Sequence, residues 1–285
     1  MIQNLHPTMT VESSDRKFSR NQPRPAETKP LPPAIAAENL SASYGGPPVL
    51  HRFNLTLPQG ELVALIGPNG AGKSTFFKLL SGVMRPTEGS ISVFGKQVRD
   101  QRRRSTVAYV PQEEQIDWDF PISVWDVVLA GRFGRIREEG FPRRLAPPWF
   151  SSSLHHDAAR EALSAVEMLK LASRPIAALS GGQKKRVFLA RALAQEARML
   201  LLDEPLAGVD GRSAELIFNV FSRARKEGRT LILVTHDLAS AEKYADRIVL
   251  INRTVMAEGA PEKVLTLENL AKAFEGGFIP ARYEQ

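Results

Sequence analysis

Residues 61–80 read ELVALIGPNGAGKSTFFKLL: an apolar strand, a loop with glycine at 67, 70 and 72, and the start of a helix. Gly67, Gly70 and Gly72 permit backbone geometry and close approach that a side chain would block. Successive N–H groups can therefore converge at the positive end of the helix. Converging donors there bind an anion, and the strand-to-helix setting makes this a phosphate-binding P-loop rather than an incidental glycine turn. Lys73 is then placed to reach the β- and γ-phosphates of a nucleotide, and Ser74 to ligate Mg²⁺.

The rest of the chain has to supply a frame for that loop. Of 285 residues, 43% are hydrophobic and 24% charged, which suits roughly 250 residues of folded domain once a tail is set aside. The tail is residues 1–36, where six prolines interrupt scattered charges and no apolar periodicity could bury a face, so disorder is expected. A single domain over 37–285 follows. Runs at 37–43, 49–57, 61–66 and 90–94, separated by Gly and Pro, read as a β-rich lobe leading into the P-loop. Apolar runs at 107–110, 199–202 and 231–234 alternate with helical patterns, which predicts a parallel sheet covered on both faces, with ligands at the carboxyl ends of its strands. Ala159, Ala162, Leu163, Val166 and Leu169 keep helical spacing, so a helical lobe over about 113–182 is inserted into this α/β core. Residues 247–252 and 255–259 read as a terminal hairpin before a helix around 268–274, and no internal repeat is visible.

Several classes of function fall away. No stretch approaches the ~18 to 20 apolar residues of a membrane span, and the first residues lack a signal-peptide core, so a cytosolic protein is expected. Cysteine is absent, which rules out disulfides and thiolate metal sites. The net charge of +7 leaves nucleic acid, nucleotide phosphates or an anionic surface as partners. The densest basic run, Arg102-Arg103-Arg104, has no interleaved aromatics to stack bases, so it reads as a solvated loop and no nucleic-acid partner is expected.

MLLLDEP ends a buried strand in two adjacent carboxylates, whose desolvation is costly unless a cation or polarised water sits opposite. Asp203 is assigned to Mg²⁺ and Glu204 to orienting and polarising the water that attacks the γ-phosphate. LILVTHD likewise ends a strand and puts His236 where a γ-phosphate would lie. Tyr44, about 25 residues before the loop, can stack on adenine without reading its edge. Gln112 follows the strand at 107–110, so its amide can meet Mg²⁺ or the attacking water. LSGGQKKRVFLARALAQ, residues 179–195, sets Ser180, Gly181 and Gly182 before a second long helix. That is a second anion site on the helical lobe, while a P-loop covers a nucleotide from one side only and leaves the outer face of its γ-phosphate exposed.

Together these pieces resemble the nucleotide-binding subunit of ATP-binding-cassette (ABC) transporters over residues from about 37 to 265. The resemblance implies a P-loop ABC ATPase fold with a parallel core sheet, an antiparallel β lobe and an inserted helical lobe. It carries over Gly67, Pro68, Asn69, Gly70, Ala71, Gly72, Lys73, Ser74 and Thr75 as the P-loop, Tyr44 as the adenine-stacking aromatic and Gln112 as the glutamine-loop residue. It also carries over Ser180, Gly181, Gly182 and Gln183 as the signature, Asp203 and Glu204 as the acidic pair and His236 as the switch histidine. Ala207 to Asp210 matches the loop that communicates between two sites and puts Asp210 among the nucleotide contacts, although AGVD stands where SALD is commoner. In the family, two units pack head to tail so that each signature closes on the other's ATP. ATP and Mg²⁺, a homodimer, integral membrane permease subunits, a solute-binding protein acting through them, and a place at the cytoplasmic face of the membrane are therefore implied.

VPQEEQIDWDFPISVWDVVLAGRFG, residues 110–134, resembles the subgroup that moves manganese, zinc or iron, especially through Asp117 to Pro121 and Asp126 to Val128. Import of a transition-metal ion is the function so implied. A transporter of another substrate and a soluble ABC ATPase acting as an assembly scaffold share the same catalytic motifs and remain the alternatives. Asp117 and Asp119 read as surface positions near the coupling groove rather than ligands of the ion. His155-His156-Asp157 reads as helix-start polarity, because adjacent residues on a helix point in different directions.

Overall fold

The computed structural model describes residues 31–98, 105–112, 121–139 and 152–275. From Pro32 onward these residues belong to one unit built on two sheets. The first is antiparallel, with strands β1 (Ile35–Ala42), β2 (Leu50–Leu57), β4 (Glu88–Val93) and β5 (Lys96–Gln97) in the order β2-β1-β4-β5. The second has six strands in the order β10-β9-β3-β8-β7-β6, formed by β3 (Leu62–Ile66), β6 (Val107–Val110), β7 (Met199–Asp203), β8 (Thr230–Val234), β9 (Arg247–Asn252) and β10 (Thr254–Gly259). Its pairs β9-β3, β3-β8, β8-β7 and β7-β6 are parallel, and only β10 runs antiparallel to its neighbour.

Three features of the strands differ from those expected from sequence. Residues 61–66 were expected in the β lobe, but β3 lies inside the parallel sheet between β9 and β8. All five of its residues are buried, as in a strand covered on both faces, whereas β2 alternates buried and exposed. The terminal hairpin is real as β9-β10, yet β9 also extends the core sheet through its pairing with β3. The first strand begins at Ile35 rather than at 37, because Ile35 is paired on both sides, with Leu57 and with Val93. The expected disorder of the tail falls mostly on residues 1–30, outside the described residues.

Alternation along the central strands divides the core. Val63, Leu65, Met199, Leu201, Ile232 and Val234 face the antiparallel sheet and enclose helix α1 (Lys73–Leu80), whose Phe76, Phe77, Leu79 and Leu80 are buried there. On the opposite face, Leu200, Leu202, Leu231 and Leu233 pack against the helical lobe and helix α6 (Gly211–Lys226). In the lobe, the described helices are α2 (Val124–Ala130), α3 (Phe133–Glu138), α4 (Ser153–Ala165) and the long α5 (Gly181–Ala194). Helices α7 (Leu238–Tyr244), α8 (Pro261–Val264) and α9 (Leu267–Ala273) cover the flank formed by Ala64, Ile66, Ile248 and Leu250. P-loop, acidic pair and histidine thus leave the sheet at the carboxyl ends of three adjacent strands, β3, β7 and β8.

Candidate functional site

The loop after β3 owes its shape to glycine, and at Gly67 a side chain would collide with the Ile251 carbonyl. Gly70 (φ 81°) and Gly72 (φ 97°) occupy left-handed backbone, and a side chain at Gly72 would also run into Leu50. Gly72 is the N-cap of α1, so Lys73 and Ser74 open the helix at its positive end. The Lys73 ammonium is buried and donates to the carbonyls of Gly67 at 2.6 Å and Pro68 at 2.9 Å. Burial pushes its pKa down, against the attraction of Glu204 and Asp203.

Asp203 is the last residue of β7 and is buried; its Oδ2 accepts a hydrogen bond from the Tyr109 hydroxyl of β6 at 3.2 Å. Burial raises its carboxyl above the usual range, although Tyr109, Lys73 and His236 act in the other direction. Glu204 adopts φ 51°, a left-handed conformation that non-glycine residues rarely take. The kink is held by its N–H bond to Val234 O at 3.0 Å and turns the carboxylate out of the strand line towards His236, whose Nε2 lies 3.0 Å from Glu204 Oε1. Burial raises Glu204 as well; His236 opposes that shift and Asp203 adds to it.

A cavity of about 200 Å³ gathers Asn69, Gly70, Ala71, Gly72, Lys73, Ser74 and Thr75 with Gln112, Asp203, Glu204 and His236. Donors therefore line one wall and carboxylates with a histidine the other. Ser74, Gln112 and Asp203 offer hard oxygen donors, the chemistry Mg²⁺ takes, beside a glycine-lined loop sized for phosphate. Gly67 and Pro68 meet this cavity through Lys73. Tyr44 does not line it; the residue is 61% exposed, with its hydroxyl 3.3 Å from Thr75 Oγ1.

The second anion motif lies apart. Ser180 caps α5 through a capping box, accepting from the Gln183 N–H at 3.3 Å while Gln183 Oε1 accepts from the Ser180 N–H at 3.0 Å. Neither Ser180, Gly182 nor Gln183 borders the phosphate cavity, and Gly181 borders a neighbouring one that shares Gln112 and Glu204. A methyl group added at Gly181 or Gly182 would meet nothing within 4 Å, so the fold of this chain does not require glycine at either position. Asp210, grouped with the nucleotide contacts on sequence, caps α6 by accepting from Ser213 N–H at 3.0 Å and lies outside the cavity.

Two contributors escaped the sequence reading. Tyr109 is a polar tip in an otherwise apolar strand, and a tyrosine so placed normally seeks a buried partner, which was the available signal. Lys185 of α5 donates to the carbonyls of Glu204 and Ala207 and ties the signature helix to the turn after the acidic pair; nothing in its surroundings announces that. His155 corrects an expectation. It is buried rather than a polar helix-start residue, with Nδ1 accepting from Arg132 Nε at 3.1 Å and Nε2 2.7 Å from Glu139, whereas His156 stacks on Trp125. Asp117, Asp119 and Arg102 to Arg104 lie outside the described residues. Among the described residues no group of three or more His, Asp or Glu is placed to hold a metal ion, and no helix is long and apolar enough to cross a membrane.

A P-loop feeding a helix between two sheets, with strand-end carboxylates and a histidine opposite it, defines a nucleotide-hydrolysing cassette. The chain matches the ABC transporter family over residues 50–207, more than half of its length, and it belongs to that family and carries its ATPase domain. It is 43% identical over 242 residues to the manganese transport system ATP-binding protein MntB of Bacillus subtilis, covering 85% of this chain and 92% of that one. It is 41% identical over 243 residues to the zinc transport system ATP-binding protein TroB of Treponema pallidum, covering 85% and 87%. Among solved structures, an ABC transporter described as of metal-chelate type, in an inward-facing conformation, superposes with a TM-score of 0.71 at 30% identity, covering 85% of this chain and 89% of that chain.

Proposed function

We propose that this chain is the ATP-hydrolysing subunit of a transporter that imports a transition-metal ion, manganese, zinc or iron. The observation that carries the hydrolytic part is the single cavity where Lys73 and Ser74 face Gln112, Asp203, Glu204 and His236. In this reading the P-loop N–H groups and Lys73 hold the phosphate chain, with Lys73 exchanging its bonds to the Gly67 and Pro68 carbonyls for phosphate oxygens. Ser74, Asp203 and Gln112 would hold Mg²⁺, which when bound neutralises charge on the phosphate oxygens. Glu204 orients and polarises the attacking water, and His236, whose Nε2 lies beside the Glu204 carboxylate, presents its ring to the γ-phosphate. Tyr44 stacks on the base.

Gly181 and Gly182 support the pairing of two chains. Their open surroundings fit a surface that another molecule approaches closely, and in a head-to-tail homodimer that molecule is the nucleotide held by the partner subunit. Ser180 and Gln183 shape that surface through the capping box, and Asp210 sits at the turn joining the two sites. The cassette would dock on membrane permease subunits at the cytoplasmic face and respond through them to a solute-binding protein.

The cargo rests on residues 117–134 and on the manganese and zinc systems in which the relatives serve. It is tested by measuring ATPase rates in vesicles containing the permease, with binding proteins loaded in turn. Stimulation by a Mn²⁺-, Zn²⁺- or iron-loaded protein is expected, and a tenfold effect needs only ~1.4 kcal/mol of coupling. Stimulation by an amino-acid, sugar or phosphate carrier with silence towards every metal would overturn the cargo and leave the ATPase standing.

A further inference from the structure

The ring of Tyr44 is exposed, yet its hydroxyl is engaged. Its oxygen accepts from Lys78 Nζ at 3.3 Å and lies 3.3 Å from Thr75 Oγ1, while the same ammonium sits 5.2 Å from the ring centroid. An ammonium can only donate, so the Tyr44 oxygen accepts there; between Tyr44 and Thr75 either hydroxyl can be the donor, and the bond from Lys78 leaves the Tyr44 proton available for Thr75 Oγ1. Thr75 is buried and lines the phosphate cavity, so a proton on its hydroxyl has that cavity within reach. Each donor in such a series is sharpened by the one behind it.

We infer that Tyr44 is a positioning residue as well as a stacking surface: its hydroxyl, fed by Lys78, orients the Thr75 hydroxyl proton onto the phosphate chain. Affinity for the phosphates themselves, with no base present, then depends on a residue assigned to the base. The inference rests on the proposed reading of Gly67 to Thr75 as the triphosphate site.

The test uses the full chain and calorimetric titration with MgATP and with Mg-tripolyphosphate, which has neither base nor ribose. Tyr44→Phe keeps the ring and removes the relay, and an exposed hydroxyl can be removed without loss of the fold, which an unchanged thermal midpoint checks. It should weaken both ligands by the same factor, about 3- to 10-fold for one hydrogen bond. Thr75→Ala should weaken both too, and the double variant should be no weaker than Thr75→Ala alone. Wild-type affinity of Tyr44→Phe for tripolyphosphate, a loss confined to ATP, or factors that multiply in the double variant would each overturn the relay. Absence of tripolyphosphate binding by the wild type counts against it equally. Lys73→Ala separates the two levels. If it loses tripolyphosphate while Tyr44→Phe does not, only the relay falls; if it binds as the wild type does, the triphosphate reading falls and takes the relay with it.

Discussion

At the residue scale, the acidic pair stores an unfavourable charge for use. Burial raises both carboxyls, the Asp203 charge raises Glu204 further, and Glu204 adds a left-handed backbone. Glu204→Gln keeps the shape and the Lys73 contacts, so nucleotide binding should persist while turnover falls ~10²-fold or more, as expected when a general base is deleted. Near-normal steady-state hydrolysis would remove Glu204 from the mechanism. Asp203 makes a pH prediction with a definite sign. A carboxyl whose folded pKa is raised binds its proton more tightly in the folded chain, so its contribution is present below the unfolded pKa and lost as pH rises through the folded one. Asp203→Asn, always neutral, should therefore be more stable than the nucleotide-free wild type at neutral pH, and this advantage should shrink as pH falls below the raised value. Thermal midpoints of both proteins across pH 4.5 to 8 check it; an advantage independent of pH would mean that Asp203 bears no burial cost.

At the scale of elements, the signature segment separates folding from function. Ser180→Ala deletes a capping side chain and should cost ~1 kcal/mol of stability. Gly182→Ala should leave stability unchanged or raise it, since alanine favours a helix and its methyl meets nothing in this chain. If the partner's nucleotide approaches there, the same substitution should nevertheless depress ATPase activity; full activity would show that this face is not approached. Arg132 in α2–α3 is nearly inaccessible and spends its donors on Ala194 O, Glu196 and His155, tying three parts of the lobe together. Arg132→Ala should destabilise the chain by ~2 to 4 kcal/mol, the cost of leaving the Ala194 carbonyl and the buried His155 ring without their donor, read by denaturant unfolding. These elements also mark where sequence was legible. Strand β7 declares itself because a buried run ending in DE has few other meanings, and the strand–loop–helix of the P-loop carries its own geometry. The sheet to which β3 belongs did not show, because a five-residue apolar run fits either sheet and only the pairing with β8 and β9, more than 160 residues away, decides. Nor did the burial of His155, whose partners Arg132 and Glu139 are brought to it by tertiary packing that helical periodicity does not encode.

At the scale of the whole molecule, the proposed function gives one chain two half-sites. The P-loop, Gln112, Glu204 and His236 share a cavity, and Ser180, Gly182 and Gln183 lie outside it. In the proposed head-to-tail pairing, each Ser180 segment completes the partner subunit's cavity. The most direct measurement is ATP hydrolysis by mixed dimers of Lys73→Ala and Ser180→Arg chains, each of which damages a different half. Both homodimers should be inactive, since each has both composite sites spoiled. The mixed dimer should recover activity, because one of its two sites then combines an intact P-loop with an intact Ser180. Mixed dimers no more active than either homodimer would contradict the account.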